Sequence, residues 1–210
     1  MANAYLDFNK ISTHSRLIES NSFLHDFKDG KGKVPANRHS NGGGIVADTA
    51  TVADRAYVGK NARVFGKAQV LDRADLFDKV QVYDSAIVAD HSTITHNSQV
   101  YGKAGVYGRG YVGDNAQVYG KAQVYGNAKV YDNAKVYGNA KVYGNAQVYD
   151  QAVVYGNSKV SGKAEVDGNA EVFGNDKVSG NDKVSGSDNI YARALSGGQS
   201  VLRNYSKLDR

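Results

Sequence analysis

Residues 118–147 read VYGKAQ, VYGNAK, VYDNAK, VYGNAK and VYGNAQ, so that Val118, Val124, Val130, Val136 and Val142 recur at a strict spacing of six. Extended in both directions, the same frame runs from Val46 to Leu195 as 25 hexads without an inserted residue, and its first position is always aliphatic: 22 valines, Ile94, Ile190 and Leu76. The fifth position is nearly as restricted, with 17 alanines, Ser92, Ser98, Ser158, Gly110 and Val80, and Asp176, Asp182 and Asp188 in the last hexads. A fixed period of this kind marks a solenoid before any single residue is considered.

Each position has a physical reason. A β-branched first residue favours extended backbone, and strand alternation puts positions one and five on the inner side with position six outside. Alanine at position five leaves room where the chain bends, and glycine, aspartate or asparagine at positions three and four tolerates the positive φ of a tight corner. A helix loses, because a period of six would scatter the valines around its circumference at steps of about 240°. The 210 residues include 24 glycines, one proline, 15 tyrosines and six phenylalanines, but no cysteine and no tryptophan. That inventory excludes a helix bundle, disulfides, thiolate catalysis and cysteine-ligated zinc. No apolar run approaches the roughly 18 residues of a membrane span, and Met1 to Phe8 lacks the basic and apolar regions of a secretory signal, so synthesis in the cytoplasm is expected.

These hexads resemble the hexapeptide-repeat, left-handed parallel β-helix family. The resemblance implies an all-β fold in which each hexad forms one side of a triangular prism and three make a coil, about eight coils in all. Its left-handed coiling, an exception to the usual crossover rule, comes from the resemblance alone. The Asn-Ala-x-Val-Tyr-Gly cycle, entered through Asn41 to Ala47, further resembles repeat proteins of bacteriophages and prophages. That likeness implies no catalytic residues and no cofactor, and points to a virion structural part such as a capsid decoration or fibre protein.

The ends fall outside the frame. Residues 1–44 carry scattered apolar anchors, among them Phe8, Phe23, Leu24 and Phe27, and close on Gly42 to Gly44. The expectation is a docking arm with a short helix near residues 15–27, joined through a flexible glycine hinge to the β-helix of residues 45–195. Val201, Leu202, Tyr205 and Leu208 predict a capping helix within residues 196–210. Covering the exposed strand edges of a solenoid is the plainer role for both tails.

Residues 18 apart lie above one another on a three-sided prism, so the second position of every third hexad forms one aromatic stripe: Phe65, Tyr83, Tyr101, Tyr119, Tyr137, Tyr155, Phe173 and Tyr191. Such a stripe serves as a stability ladder, as an interface in a homotrimer or with virion proteins such as the major capsid protein, or as a groove on which surface glycans stack. The net charge of +5 divides into +2, +1 and +2 over residues 1–44, 45–195 and 196–210, which is no footprint for nucleic acid.

Candidate chemistry is sparse. His91 and His96 resemble the paired histidines of the carbonic anhydrases of this fold, but Arg55 and Ala56 stand where that branch needs a third. The frame places His96 between Asp78 and Asp114, which reads as a surface charge row, not a metal site. No inserted loop shapes a coenzyme A pocket of the kind acyltransferases of this fold carry. Asp176, Asp182 and Asp188 occupy different corners of one coil, too far apart to share an ion, and are expected to turn outward or to bond their own turn amides.

Overall fold

The computed structural model describes residues 22–186, together with the backbone of strands Asn189–Tyr191, Ala194–Leu195 and Ser200–Val201. The chain is a left-handed parallel β-solenoid of about eight coils. Among the described residues nine parallel strands stack on each of three sides, and the first side gains two antiparallel strands at its N-terminal edge to reach 11. Side A holds strands such as Gln81–Val82 and Gln99–Val100, side B Gln123–Val124 and Lys141–Val142, and side C Lys129–Val130 and Gln147–Val148. Successive rungs pair in register 18 residues apart, as in Gln99↔Gln117 and Val100↔Val118.

The interior is what the period requires. Every first-position aliphatic residue from Val58 to Val184 is fully buried, as are the fifth-position alanines from Ala56 to Ala170. Burying a valine side chain contributes on the order of 1.5–3 kcal/mol, so each coil adds three such residues to one continuous core. Ser92, Ser98 and Ser158 are tolerated inside because each hydroxyl donates to a carbonyl three residues back, at 2.7–2.8 Å.

The corners are sharper than the sequence implied. Within the described hexads only position three takes positive φ, and it does so without exception from Gly66 to Gly186. Where glycine is replaced there, the substitute is Asp or, once, His96 at φ 59°. Aspartate has its own compensation: the Oδ2 of Asp72, Asp90, Asp114, Asp132 and Asp150 each accepts the backbone N–H of the residue 18 positions on, at 2.7–3.3 Å. At position four, Asn97, Asn115 and Asn133 form an amide row, as do Asn139, Asn157 and Asn175.

Three expectations are corrected at the ends. In place of a helix over residues 15–27, Phe23–Asp26 is a strand (β1), paired antiparallel with Lys33–Arg38 (β2), which pairs in turn with Ile45–Ala47 (β3) on side A; residues 15–21 lie outside the described residues. Strand alternation prevails there because it puts Phe23, His25 and Phe27 in one aromatic cluster while Leu24 stays 65% exposed. The glycine run is no hinge. The Gly44 N–H donates to the Val58 carbonyl at 2.9 Å, the Val58 N–H to the Asn41 carbonyl at 3.0 Å, and a Cβ on either Gly42 or Gly44 would collide with Val58. At the far end, Ser200–Val201 is a strand paired with Lys183–Val184, so Val201 belongs to the solenoid and not to a helix. The pairs Val178↔Leu195 and Val184↔Val201 are 17 residues apart, one fewer than elsewhere, which moves Leu195 from the sixth position to the first. Leu202, Tyr205 and Leu208 lie outside the described residues.

Candidate functional site

Position two follows the buried valine and faces outward, directly in line with position two of the coils above and below. On side A this produces one column of parallel rings. Phe65, Tyr83, Tyr101, Tyr119, Tyr137, Tyr155 and Phe173 stack with centroids 4.8–5.0 Å apart and planes within 8°. Phe173 pairs in register with Tyr191, whose side chain lies outside the described set. The column also has a member that the period could not supply: Phe27, 3% exposed, stacks on Phe65 at 4.7 Å and 20°. Its only signal in the sequence is an aromatic residue in a segment with strand alternation before the repeat.

Of the expected docking residues, then, Phe27 is buried in the first side's column and Phe23 is part-buried beneath the Arg38 guanidinium, 5.8 Å from its ring centroid. Leu24 is exposed, and Phe8 lies outside the described residues. Residues 22–44 therefore form a cap on side A. The His25 ring in this cap is held below its usual pKa by burial and by Arg63.

The column rings stack on each other, so they present edges and hydroxyls, not faces. Burial between neighbours pushes the phenols of Tyr101, Tyr119 and Tyr137 up, and that of Tyr83 up to about 12. The hydroxyls reach the position-six residue of the next coil: Tyr83 donates to Gln99 and Tyr155 to Glu171.

Shorter columns stand on the other sides. Tyr125 and Tyr143 stack on side B at 5.0 Å, and Tyr131 and Tyr149 on side C at 5.1 Å. The two end differently. Above Tyr149 the next rung is Asp167, whose Oδ2 accepts the Tyr149 hydroxyl at 2.7 Å and the Lys183 ammonium at 2.7 Å. Burial would raise the Asp167 pKa, yet the hydrogen bonds from Lys183 and Tyr149 hold it below the usual value. Burial and the bond to Asp167 push the Tyr149 phenol up to about 12. Above Tyr143 the next rungs are Ser161 and Ser179.

The remaining candidates are structural. His96 sits in the corner row, its N–H donating to Asp78 at 3.2 Å and its Nδ1 2.9 Å from the Thr95 hydroxyl and 3.6 Å from Asp114. Among the described residues, no three His, Cys, Asp or Glu side chains are grouped to hold a metal ion. Asp176 and Asp182 do not turn outward: they are 1% and 0% exposed, and the Asp182 carboxylate accepts the Ser179 N–H at 3.4 Å. Asp188 lies outside the described residues. The inward step is forced by the frame, since position five faces the interior whichever residue fills it. Two shallow grooves of about 300 Å³ lie among the described residues, one along the corner of Asp132, Asp150 and Gly168, the other at the cap beside Arg38, Asp48 and Val52.

Fold and site together define a parallel β-solenoid whose outer faces are organised as vertical rows of one residue type. Neither a family model nor a curated protein matches the chain.

Proposed function

We propose that the chain is a non-enzymatic structural rod, a virion component of the capsid-decoration or fibre kind, that works as a homotrimer of parallel prisms. The observation that carries this reading is the unbroken run of rings from Phe27 to Phe173 along one face of an otherwise uninterrupted solenoid. A rod whose coils stack only on their neighbours is stiff along its axis, and a continuous aromatic edge supplies both apolar area and hydroxyl tips for subunit contact. Attachment to the particle falls to the N-terminal end, where Leu24 is exposed on the cap.

The first test is the mass in solution by size exclusion with light scattering. Three copies of the 22.5 kDa chain are expected, and a monodisperse monomer at micromolar concentration overturns the trimer. The second is co-sedimentation with intact phage particles from a producing culture. Protein that stays wholly in the particle-free supernatant overturns the virion assignment.

A further inference from the structure

The two short ring columns have unequal ends. On side C the place above Tyr149 is filled by the chain's own Asp167 and Lys183. On side B the column stops at Tyr143, and the next two rungs carry only the small side chains of Ser161 and Ser179. Among the described residues a ring face is thus left without an aromatic neighbour, beneath a shelf two coils deep. At the opposite end of this column Tyr107 occupies the rung, its ring folded over Gly105.

Charge around the shelf is one-sided. Lys141, Lys159 and Lys177 stand directly opposite one another in register along side B, and like charges so placed destabilise a sheet. Side C avoids this at the same height by setting Glu165 opposite Lys183, 3.4 Å apart. None of the three side B lysines has an ion-pair partner among the described residues, and no Asp or Glu occupies position two or six of this side. The acid adjacent in sequence to Lys177 is Asp176, which is buried on the inner side of the backbone.

From this juxtaposition we propose that the shelf above Tyr143 binds an acidic sugar of a polyanionic glycan, one sugar ring taking the vacant rung against Tyr143 while its carboxylate and those of its neighbours meet Lys159 and Lys177. A sugar needs one aromatic face for stacking, and this shelf has one wall. Ser161 and the corner amide of Asn145 suit a ligand dense in hydroxyls. A row of lysines at one strand spacing, about 4.8 Å, matches charges repeated along a polymer better than a single anion. A nucleic-acid strand is disfavoured because successive bases need successive free ring faces, and only Tyr143 offers one here. The site is independent of the side A column and of the trimer.

The test uses the full chain and three probes: an oligogalacturonate, a neutral maltooligosaccharide and an oligothymidylate. Isothermal titration at low and moderate salt is expected to show binding of the oligogalacturonate alone, weakening as salt rises. Ser161→Tyr fills the rung with a residue the neighbouring coils already use. It is expected to weaken binding by at least about tenfold while leaving the melting midpoint unchanged or higher. Lys159→Gln with Lys177→Gln is expected to weaken binding similarly and to flatten its salt dependence. Undiminished binding in Ser161→Tyr, equal binding of the neutral sugar, tighter binding of the oligothymidylate, or no binding of any probe overturns the proposal. If the lysine pair instead changes the oligomeric mass, side B is a subunit interface and the proposal falls.

Discussion

The prism and its N-terminal cap are built on opposite terms. Between Val64 and Val172 a residue's role follows from its place in the hexad: inward at one and five, left-handed at three, and shared with the residues 18 before and after. In residues 22–44 no position repeats, and individual residues are fitted to individual places. Phe27 closes the ring column, Asn41 donates its side-chain amide to the Ala56 carbonyl at 3.0 Å, and Gly42 and Gly44 let the backbone pass against Val58. The contrast teaches that redundancy protects the prism, where one damaged coil has like neighbours, while the cap has no second copy of any contact.

The sharpest way to break this comparison is to remove the cap. Deleting residues 1–40 strips β1 and β2 from the β3 edge and uncovers Phe65, which is 5% exposed in the intact chain. The expected result is aggregation or a markedly lower thermal midpoint, the reverse of what a hinged docking arm would give. A truncated protein that melts like the full chain would show that the cap contributes nothing to stability.

Single substitutions grade the same contrast. Phe27→Ala is expected to cost about 3–5 kcal/mol and Val136→Ala about 2 kcal/mol in urea unfolding, although both side chains are buried. Equal costs would remove the distinction between a fitted and a repeated site.

Within the prism, position three separates two solutions to one corner. Gly138→Ala forces a Cβ to 2.9 Å from the Gly156 nitrogen in a left-handed residue, and is expected to cost more than about 1–2 kcal/mol. Asp132→Gly keeps the conformation and loses one exposed hydrogen bond to Asp150, for about 1 kcal/mol or less. The reverse order in denaturant midpoints would mean that the Asp row, not the backbone geometry, holds the corners.

The smallest effects are those of pH, and they fall on opposite sides for the two regions. Tyr83 and Tyr149 have folded pKa values of about 12 against 10.0 for a free phenol. Their contribution to stability is present below pH 10 and is lost as pH rises toward 12. His25 in the cap is shifted the other way, below 6.5, so its contribution is present above that pH and is lost as pH falls through its lowered pKa. Phenolate absorbance of the prism and hydrogen exchange at the cap strands should record an alkaline loss in the first and an acid loss in the second. Exchange at β1 and β2 that is flat from neutral to acid pH would show that His25 is not coupled to the cap.

The stack from Phe65 to Phe173 was legible from spacing alone, because a ring at position two has no choice of height once the period is set. Which ring face remains open was not. Tyr143 and Tyr149 occupy the same position in successive hexads, and only the identities of Ser161 and Asp167, one coil on, decide that the first faces a shelf and the second a carboxylate. The inward acids show the limit from the other direction: residue preference favours an exposed Asp182, but the frame buries it.

By itself the sequence determined the solenoid, the six inward positions of each coil, the corners and the vertical rows, since all of these repeat with a local period and each hexad restates them. Only the tertiary structure decided the strand pairing of residues 23–47, the seating of Phe27 on Phe65, the one-residue shift that brings Leu195 and Val201 into the stack, and the vacancy above Tyr143. Those features depend on contacts between segments 17 or more residues apart or outside the repeat, where no local pattern carries the information and packing against a finished neighbour selects the conformation.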